Sequence, residues 1–409
     1  MAALVFLGFA SGLPLFLTSR TLQAWMTKSG VDLTTIGLFS LVALPYSLKF
    51  LWAPLLDRFT PPFLGRRRGW LLITQIALMV AIFAMSLRDP RTGLQMVAIN
   101  ALIIAFLSAT QDIGVDAYRT DILEYREMGT GAAMWVLGYR VALLVTGALA
   151  LVLADKMPWP AVYAVMAALM IIGIITTFLA PEPALRGAPP KTLTDAVKLP
   201  FQEFFQRAGV MRAVAILAFI VLYKLSDYMA QNMAIPFLLQ TGFTQTQIGT
   251  IQGGIGLGAT IVGVLAGGVM SSRLGINRSL WVFGGLQAVS NLMYYLLAVA
   301  GKNSTLLVVA MVVENFCTGL VTAGFLAFLM SLCSVRFSAT QFALLSSLMS
   351  ASRDIVVTPA GAIAEAVGWP MFFIITLLAG IPGLAMLPIF AAWNQDRPSV
   401  AAVHTGEAV

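Results

Sequence analysis

Asp112 and Asp116 stand four residues apart in an apolar stretch, and Arg119 follows three residues later. On a helix this spacing puts both carboxylates on one face, with the guanidinium nearly on that face and Gln111 near its edge. Two carboxylates this close in a low dielectric give up their protons in separate, coupled steps. That behaviour suits a proton carrier. The competing reading is a fixed ionic network with Arg119 or with Arg140. Asp121 belongs instead with the helix end that follows. A second apolar stretch carries Tyr223, Lys224 and Asp227, then Gln231 and Asn232. Lys224 and Asp227 are three apart. They either neutralise each other or offer both charges to a zwitterionic or carboxylate-bearing solute. Other polar groups are scattered through apolar runs: Gln23 four residues after Ser19, Lys49, Tyr118, Arg140 after Gly138 and Tyr139, the pair Glu314 and Asn315, and Arg353 beside Asp354. A charge at the centre of a bilayer costs about 2.5–3.5 kcal/mol, so each must face a cavity or a partner. The candidate proton-coupling residues are Asp112, Asp116 and Asp227. The candidate solute-binding residues are Gln23, Lys49, Gln111, Tyr118, Arg119, Arg140, Tyr223, Lys224, Gln231, Glu314, Asn315 and Arg353.

The elements that carry these residues follow from composition. Of 409 residues, 59% are hydrophobic and 11% charged. Soluble domains run near 45–50% apolar and about 25% charged. This balance excludes a soluble enzyme, a disordered chain and a nucleic-acid-binding domain. A bilayer core of about 30 Å takes roughly 20 apolar residues per helix. Twelve runs of that kind are expected, at 2–27, 33–57, 69–88, 94–121, 130–154, 160–180, 210–240, 247–271, 278–300, 304–334, 339–365 and 369–392. Pro14, Pro45, Pro54, Pro236, Pro359 and Pro382 fall inside them, as broken membrane helices allow. The net charge of +7 reads as topology rather than as affinity for nucleic acid. With the N-terminus in the cytoplasm, 14 basic residues fall in cytoplasmic loops against 5 outside, the bias of the positive-inside rule. Both termini are then cytoplasmic.

The longest break in apolarity, 181–209, opens with Pro181, Pro183, Pro189 and Pro190 and separates six runs from six. The halves share landmarks at a near-constant offset. Gly37 has Gly249 212 residues on, Arg140 has Arg353 213 on, and Trp159-Pro160 has Trp369-Pro370 210 on. An internal duplication explains this. The expected fold is an all-α integral membrane protein. Its N-terminal six-helix bundle spans 1–180, the cytoplasmic linker 181–209, the C-terminal six-helix bundle 210–392 and a cytoplasmic tail 393–409.

Several chemistries have no support. Cys317 and Cys333 show neither a disulfide framework nor metal spacing, and the single histidine, His404, lies in the polar tail. There is no P-loop and no nucleophile constellation for a membrane transferase, and no cleavable leader is expected. The chain is read as a non-enzyme without metal or cofactor, and as a monomer that binds no nucleic acid.

Asp57-Arg58, followed by Gly65-Arg66-Arg67-Arg68-Gly69, resembles the cytoplasmic loop signature of the major facilitator superfamily. It makes Asp57, Arg58, Gly65, Arg66 and Arg67 candidates for a gate latch. Residues 8–15, 21–26, 49–58 and 65–70 resemble the AmpG muropeptide permeases. So do Gln111-Asp112, Asp116-Ala117, 136–140, 222–225 with Asp227, Glu314-Asn315 and 337–346. The resemblance covers essentially all twelve runs. It implies the major facilitator fold in the bacterial inner membrane. It also implies proton-coupled import of N-acetylglucosaminyl-1,6-anhydro-N-acetylmuramyl peptides for peptidoglycan recycling and, where the enzyme is inducible, β-lactamase induction. The residues by themselves leave two alternatives open: a symporter for another polar solute (sugar, peptide or drug), or a non-transporting muropeptide sensor.

Overall fold

The computed structural model describes residues 1–184, 190, 192–351, 353, 359–391 and 393. Arg186, Lys191, Asp354, Arg397 and His404, and so nearly all of the tail, lie outside the described residues. The helices used below are α1 (Ala2–Leu17), α2 (Arg20–Lys28), α3 (Arg66–Ser86), α4 (Leu94–Ile122), α5 (Met128–Leu144), α6 (Trp159–Leu179), α7 (Leu193–Ala208), α8 (Val210–Tyr223), α9 (Leu225–Gln240), α10 (Leu257–Leu274), α11 (Ile276–Ala300), α12 (Ser304–Ser331), α13 (Ser338–Ala351) and α14 (Trp369–Phe390).

Among the described residues, ten helices are long and apolar enough to cross a membrane: Ala2–Lys28, Arg66–Ser86, Leu94–Ile122, Tyr125–Ala154, Trp159–Leu179, Val210–Gln240, Gln247–Leu274, Ile276–Ala300, Ser304–Ser331 and Trp369–Phe390. They match ten of the twelve expected runs. The other two runs are segmented. Run 33–57 becomes short α and 3-10 pieces up to Arg58. Pro45 and Pro54 each open one of the pieces, at the first turn where proline's missing N–H is tolerated. Run 339–365 is divided between α13 and a helix at Ala360–Val367. Phe83, Ile99, Ile175, Val262 and Leu378 project outward from the long helices. So broad an apolar exterior is stable against lipid and not against water. The protein is a multi-pass membrane protein.

Two compact units divide the chain. The first comprises Met1–Leu123, Met134–Pro200 and Cys333–Ser347; the second holds Glu124–Ala133, Phe201–Leu332 and the chain from Leu348 on. Each uses the same device to bring helices together. In the first, a Cβ on Gly8 would strike the Trp135 carbonyl and one on Gly138 the Val5 carbonyl, so α1 and α5 meet backbone to backbone. In the second, Gly263 faces the Phe316 carbonyl and Gly319 the Thr260 carbonyl across α10 and α12. Lipid removes the hydrophobic drive between helices, so close approach through small residues supplies the attraction instead. The first core gathers Leu13, Leu17, Trp25, Leu78, Ile104, Tyr163 and Met166; the second gathers Phe237, Tyr294, Leu297, Phe372 and Phe373.

Candidate functional site

The polar groups of the first unit form two clusters. The inner one centres on Asp116 of α4, which is 5% exposed. Its carboxylate takes Arg119 Nη2 at 2.8 Å from the next turn and Lys49 Nζ at 3.2 Å. Lys49 opens a one-turn 3-10 helix in the segmented second run, so the break there sets its position. The Arg119 guanidinium lies between two rings, 4.4 Å from the centroid of Trp135 and 4.8 Å from that of Phe342. This cation–π sandwich replaces part of the lost hydration. Nε and Nη1 of Arg119 have no hydrogen-bond partner among the described residues.

Asp112 lies one turn before Asp116. The Ser11 hydroxyl and the charges of Lys49, Asp116 and Arg119 are within reach of its carboxyl, and its Oδ1 is buried without a hydrogen-bond partner. Tyr46 and Tyr139 also face Asp112, and Arg140 stands beside Tyr139. Gln111 Nε2 reaches Ser11 Oγ at 3.5 Å. Two cations and two carboxylates therefore sit together, balanced only while both acids are ionised. One further proton leaves a buried positive charge that a solute anion or a rearranged pair must answer.

The outer cluster is built on Asp57, which is fully buried. Its Oδ1 takes Arg67 Nη2 at 2.9 Å. Its Oδ2 accepts from the backbone N–H and the hydroxyl of Thr340, at 2.8 and 2.7 Å. Asp57 thus caps the start of α13, where free N–H groups and the helix dipole favour an anion. Arg67 also reaches Asp121 Oδ2 at 2.6 Å and Ser338 Oγ at 2.7 Å, and Arg66 donates to the Val335 carbonyl at 3.1 Å. Gly65 starts α3 with φ +85°, and a Cβ there would meet the Glu182 carboxyl at 2.6 Å. That carboxyl takes the N–H groups of Arg67 and Arg68 at 2.8 and 3.0 Å. Arg58 lies apart, over the Phe59 ring at 5.0 Å.

The second unit pairs Lys224 Nζ with Asp227 Oδ2 at 2.6 Å. Both are buried, at 6% and 2% exposure. Lys224 breaks the helix between α8 and α9, and its ammonium lies 5.6 Å from the Tyr228 ring. Glu314 of α12 is buried. Its Oε1 accepts from Gln231 Nε2 at 3.3 Å and from Thr318 Oγ1 at 3.2 Å.

Other candidates are committed to the scaffold. Tyr118 donates to the Pro181 carbonyl at 2.9 Å, and Tyr223 to that of Leu280 at 2.8 Å. Asn315 joins Thr260 to the Met311 carbonyl. Gln23 is half-buried on α2, and Arg353 is exposed. Residue spacing does not bring Ser11, Tyr46 and Tyr139 to Asp112, or Glu182, Ser338 and Thr340 to the outer cluster. Ser11, Tyr139, Ser338 and Thr340 do lie within runs that resemble the AmpG permeases; Tyr46 and Glu182 carry no such signal.

The Major Facilitator Superfamily profile matches residues 4–353. A protein of Escherichia coli K12 called anhydromuropeptide permease is 52% identical over 388 residues, covering 94% of this chain and 78% of that protein. An uncharacterized protein of Haemophilus influenzae is 40% identical over 412 residues, 98% of this chain and 97% of its own length. A putative transporter of Rickettsia conorii, AmpG 4, is 33% identical over 391 residues, 93% and 94% of the two chains. Among solved structures, the fucose transporter FucP in its outward conformation superposes with a TM-score of 0.71 at 13% identity, covering 96% of this chain and 98% of that one. At that identity the match speaks for the fold alone.

Proposed function

The chain belongs to the Major Facilitator Superfamily and, within it, to the AmpG family, and from that premise we propose that it imports anhydromuropeptides from periplasm to cytoplasm with protons. The observation that carries the reading is the 52% identity to an anhydromuropeptide permease across 94% of the chain. The buried Asp112–Asp116–Lys49–Arg119 set supports the coupling. The protein then sits in the bacterial inner membrane with both termini cytoplasmic, feeding peptidoglycan recycling.

The mechanism is alternating access. With Asp112 and Asp116 ionised, Lys49 and Arg119 are both answered. A proton arriving from the periplasm settles on Asp112, whose Oδ1 has no partner to lose. The set then carries one excess positive charge, and a solute carboxylate balances it. Loading of proton and solute are thereby linked, and the neutralised carrier swings inward. Release of the proton to the cytoplasm restores the repulsion between anionic solute and Asp112, and the solute leaves. A potential of 100 mV contributes about 2.3 kcal/mol per charge moved. In the second unit, Lys224, Asp227, Gln231 and Glu314 offer charges and amide donors to the amides and hydroxyls of a disaccharide-peptide. Asp57, Arg66 and Arg67, with the start of α13, form the latch of one closed state.

Uptake of labelled anhydromuropeptide by proteoliposomes, challenged with unlabelled competitors, tests the solute class. Competition by anhydromuropeptide alone is the expected result. Displacement by simple sugars, free peptides or drugs makes the chain a symporter for another polar solute. Binding without entry into the sealed lumen makes it a sensor.

A further inference from the structure

The second unit holds a cavity of about 400 Å³ where α10 ends and α11 begins. Tyr125, Arg126, Ser271, Arg273, Gly275 and Arg278 line it, and no acidic side chain among the described residues does. Arg126 and Arg273 make no ion pair among the described residues. Arg278 commits Nε to the Trp393 carbonyl at 3.1 Å. On the wall, Ser271 is 3% exposed and its Oγ has no hydrogen-bond partner among the described residues.

The duplicated corner of the first unit makes the contrast. Gly65 and Gly275 are 210 residues apart, the duplication offset, and both begin a long helix with a left-handed φ, +85° and +82°. In the first unit the arginines after that glycine are matched by Asp57, Asp121 and Glu182. In the second, three arginines surround an open volume without such a match among the described residues. Like charges gathered at one place repel, and an anion placed among them removes the repulsion. Arginine's planar fork suits a phosphate in particular, since two parallel N–H donors meet two oxygens. The position also favours one source. A turn between consecutive spans lies at a membrane face, where anionic headgroups are the concentrated phosphate. Trp393, exposed beside Arg278, is the residue type that settles at that depth.

We propose that this cavity binds a phosphate-bearing anion through Arg126, Arg273 and Arg278, with the Ser271 hydroxyl as a further donor. The headgroup of an anionic phospholipid or a soluble phosphate ester supplies that chemistry. The site is separate from the solute-binding and proton-coupling residues.

The test uses the purified full chain. Its melting is followed in phosphatidylcholine, in phosphatidylcholine with phosphatidylglycerol, and in phosphatidylcholine with inorganic phosphate. Retained lipid is counted by native mass spectrometry. The expected result is stabilisation and retention by phosphatidylglycerol, with affinity falling about tenfold or more in Arg126→Gln/Arg273→Gln. Stabilisation by inorganic phosphate as well assigns the site to soluble phosphate esters; stabilisation by the lipid alone assigns it to the headgroup. The double variant's melting in phosphatidylcholine alone reports that it folds. Should it not fold, Arg273→Lys, which keeps the charge and loses the fork, is expected to retain less lipid than the parent. Equal retention by parent and variants, or no anion effect at all, overturns the proposal.

Discussion

Replacing Asp116 with Asn takes one charge from between two cations. The carboxylate holds Lys49 at 3.2 Å and Arg119 at 2.8 Å, and those side chains are 9% and 1% exposed. Removing one member of a buried ion pair costs about 3–5 kcal/mol, because the remaining charge is stranded. Asp112 is within reach of both cations and takes up part of the loss, which places the cost near the lower end, about 3 kcal/mol. In a unit of about 200 residues, each kcal/mol moves the midpoint by about 2–4 °C. Asp116→Asn is therefore expected to melt about 6–12 °C below the parent. Asp112→Asn is nearly isosteric and removes a carboxylate whose Oδ1 has no partner. Its expected cost is about 1 kcal/mol or less, within about 4 °C. The assay is intrinsic tryptophan fluorescence of purified protein at one scan rate, since irreversible unfolding makes the midpoint depend on that rate. Lys49→Met placed on Asp116→Asn should recover part of the loss, because it removes one stranded cation. Equal midpoints for the two Asn variants, or a larger loss for Asp112→Asn, refute the assignment of Asp116 as the anchor of the cluster.

Asp57→Ala strips the cap of α13 and a partner of Arg67 together; a loss of about 3–5 kcal/mol is expected from chemical unfolding, with Asp57→Asn between it and the parent. Gly138→Ala drives a methyl onto the Val5 carbonyl, and expression trials followed by gel filtration should show a loss of about 3 kcal/mol or more as depleted folded protein. Gly285→Ala in α11 meets nothing within 4 Å and should be neutral or slightly stabilising in the same trials. Lys224→Met strands the Asp227 carboxylate and should lower both the melting midpoint and solute affinity, whereas Lys224→Met/Asp227→Leu should recover the midpoint alone.

Local spacing carried much of the cluster chemistry. Arg119 pairs with Asp116 and Lys224 with Asp227, each three apart, because one helical turn fixes both partners. Lys49, a solute-binding candidate by residue type, makes an ion pair with Asp116. Asp121 does sit with the outer arginines. What spacing cannot carry is the long-range match. Asp57 and Thr340 are 283 residues apart, and Glu182 lies 115 from Arg67; nothing in either local pattern names the other. Hydroxyl commitments were equally hidden. Tyr118 and Tyr223 look like tyrosines free to meet a solute until the carbonyls of Pro181 and Leu280 are brought beside them. The run 33–57 was apolar enough for one helix, and its two prolines were visible. That the breaks would hold Lys49 against α4 depends on packing that composition does not encode.

Proton coupling through Asp112 is the central claim, and accumulation against a gradient tests it most directly. Labelled anhydromuropeptide is offered to proteoliposomes of the parent and of Asp112→Asn, with and without an inward proton gradient, and counterflow exchange is followed in the same vesicles. The account requires the parent to accumulate solute only with the gradient, and Asp112→Asn to exchange solute without accumulating it. Gradient-driven accumulation by Asp112→Asn at the parent's level contradicts the account.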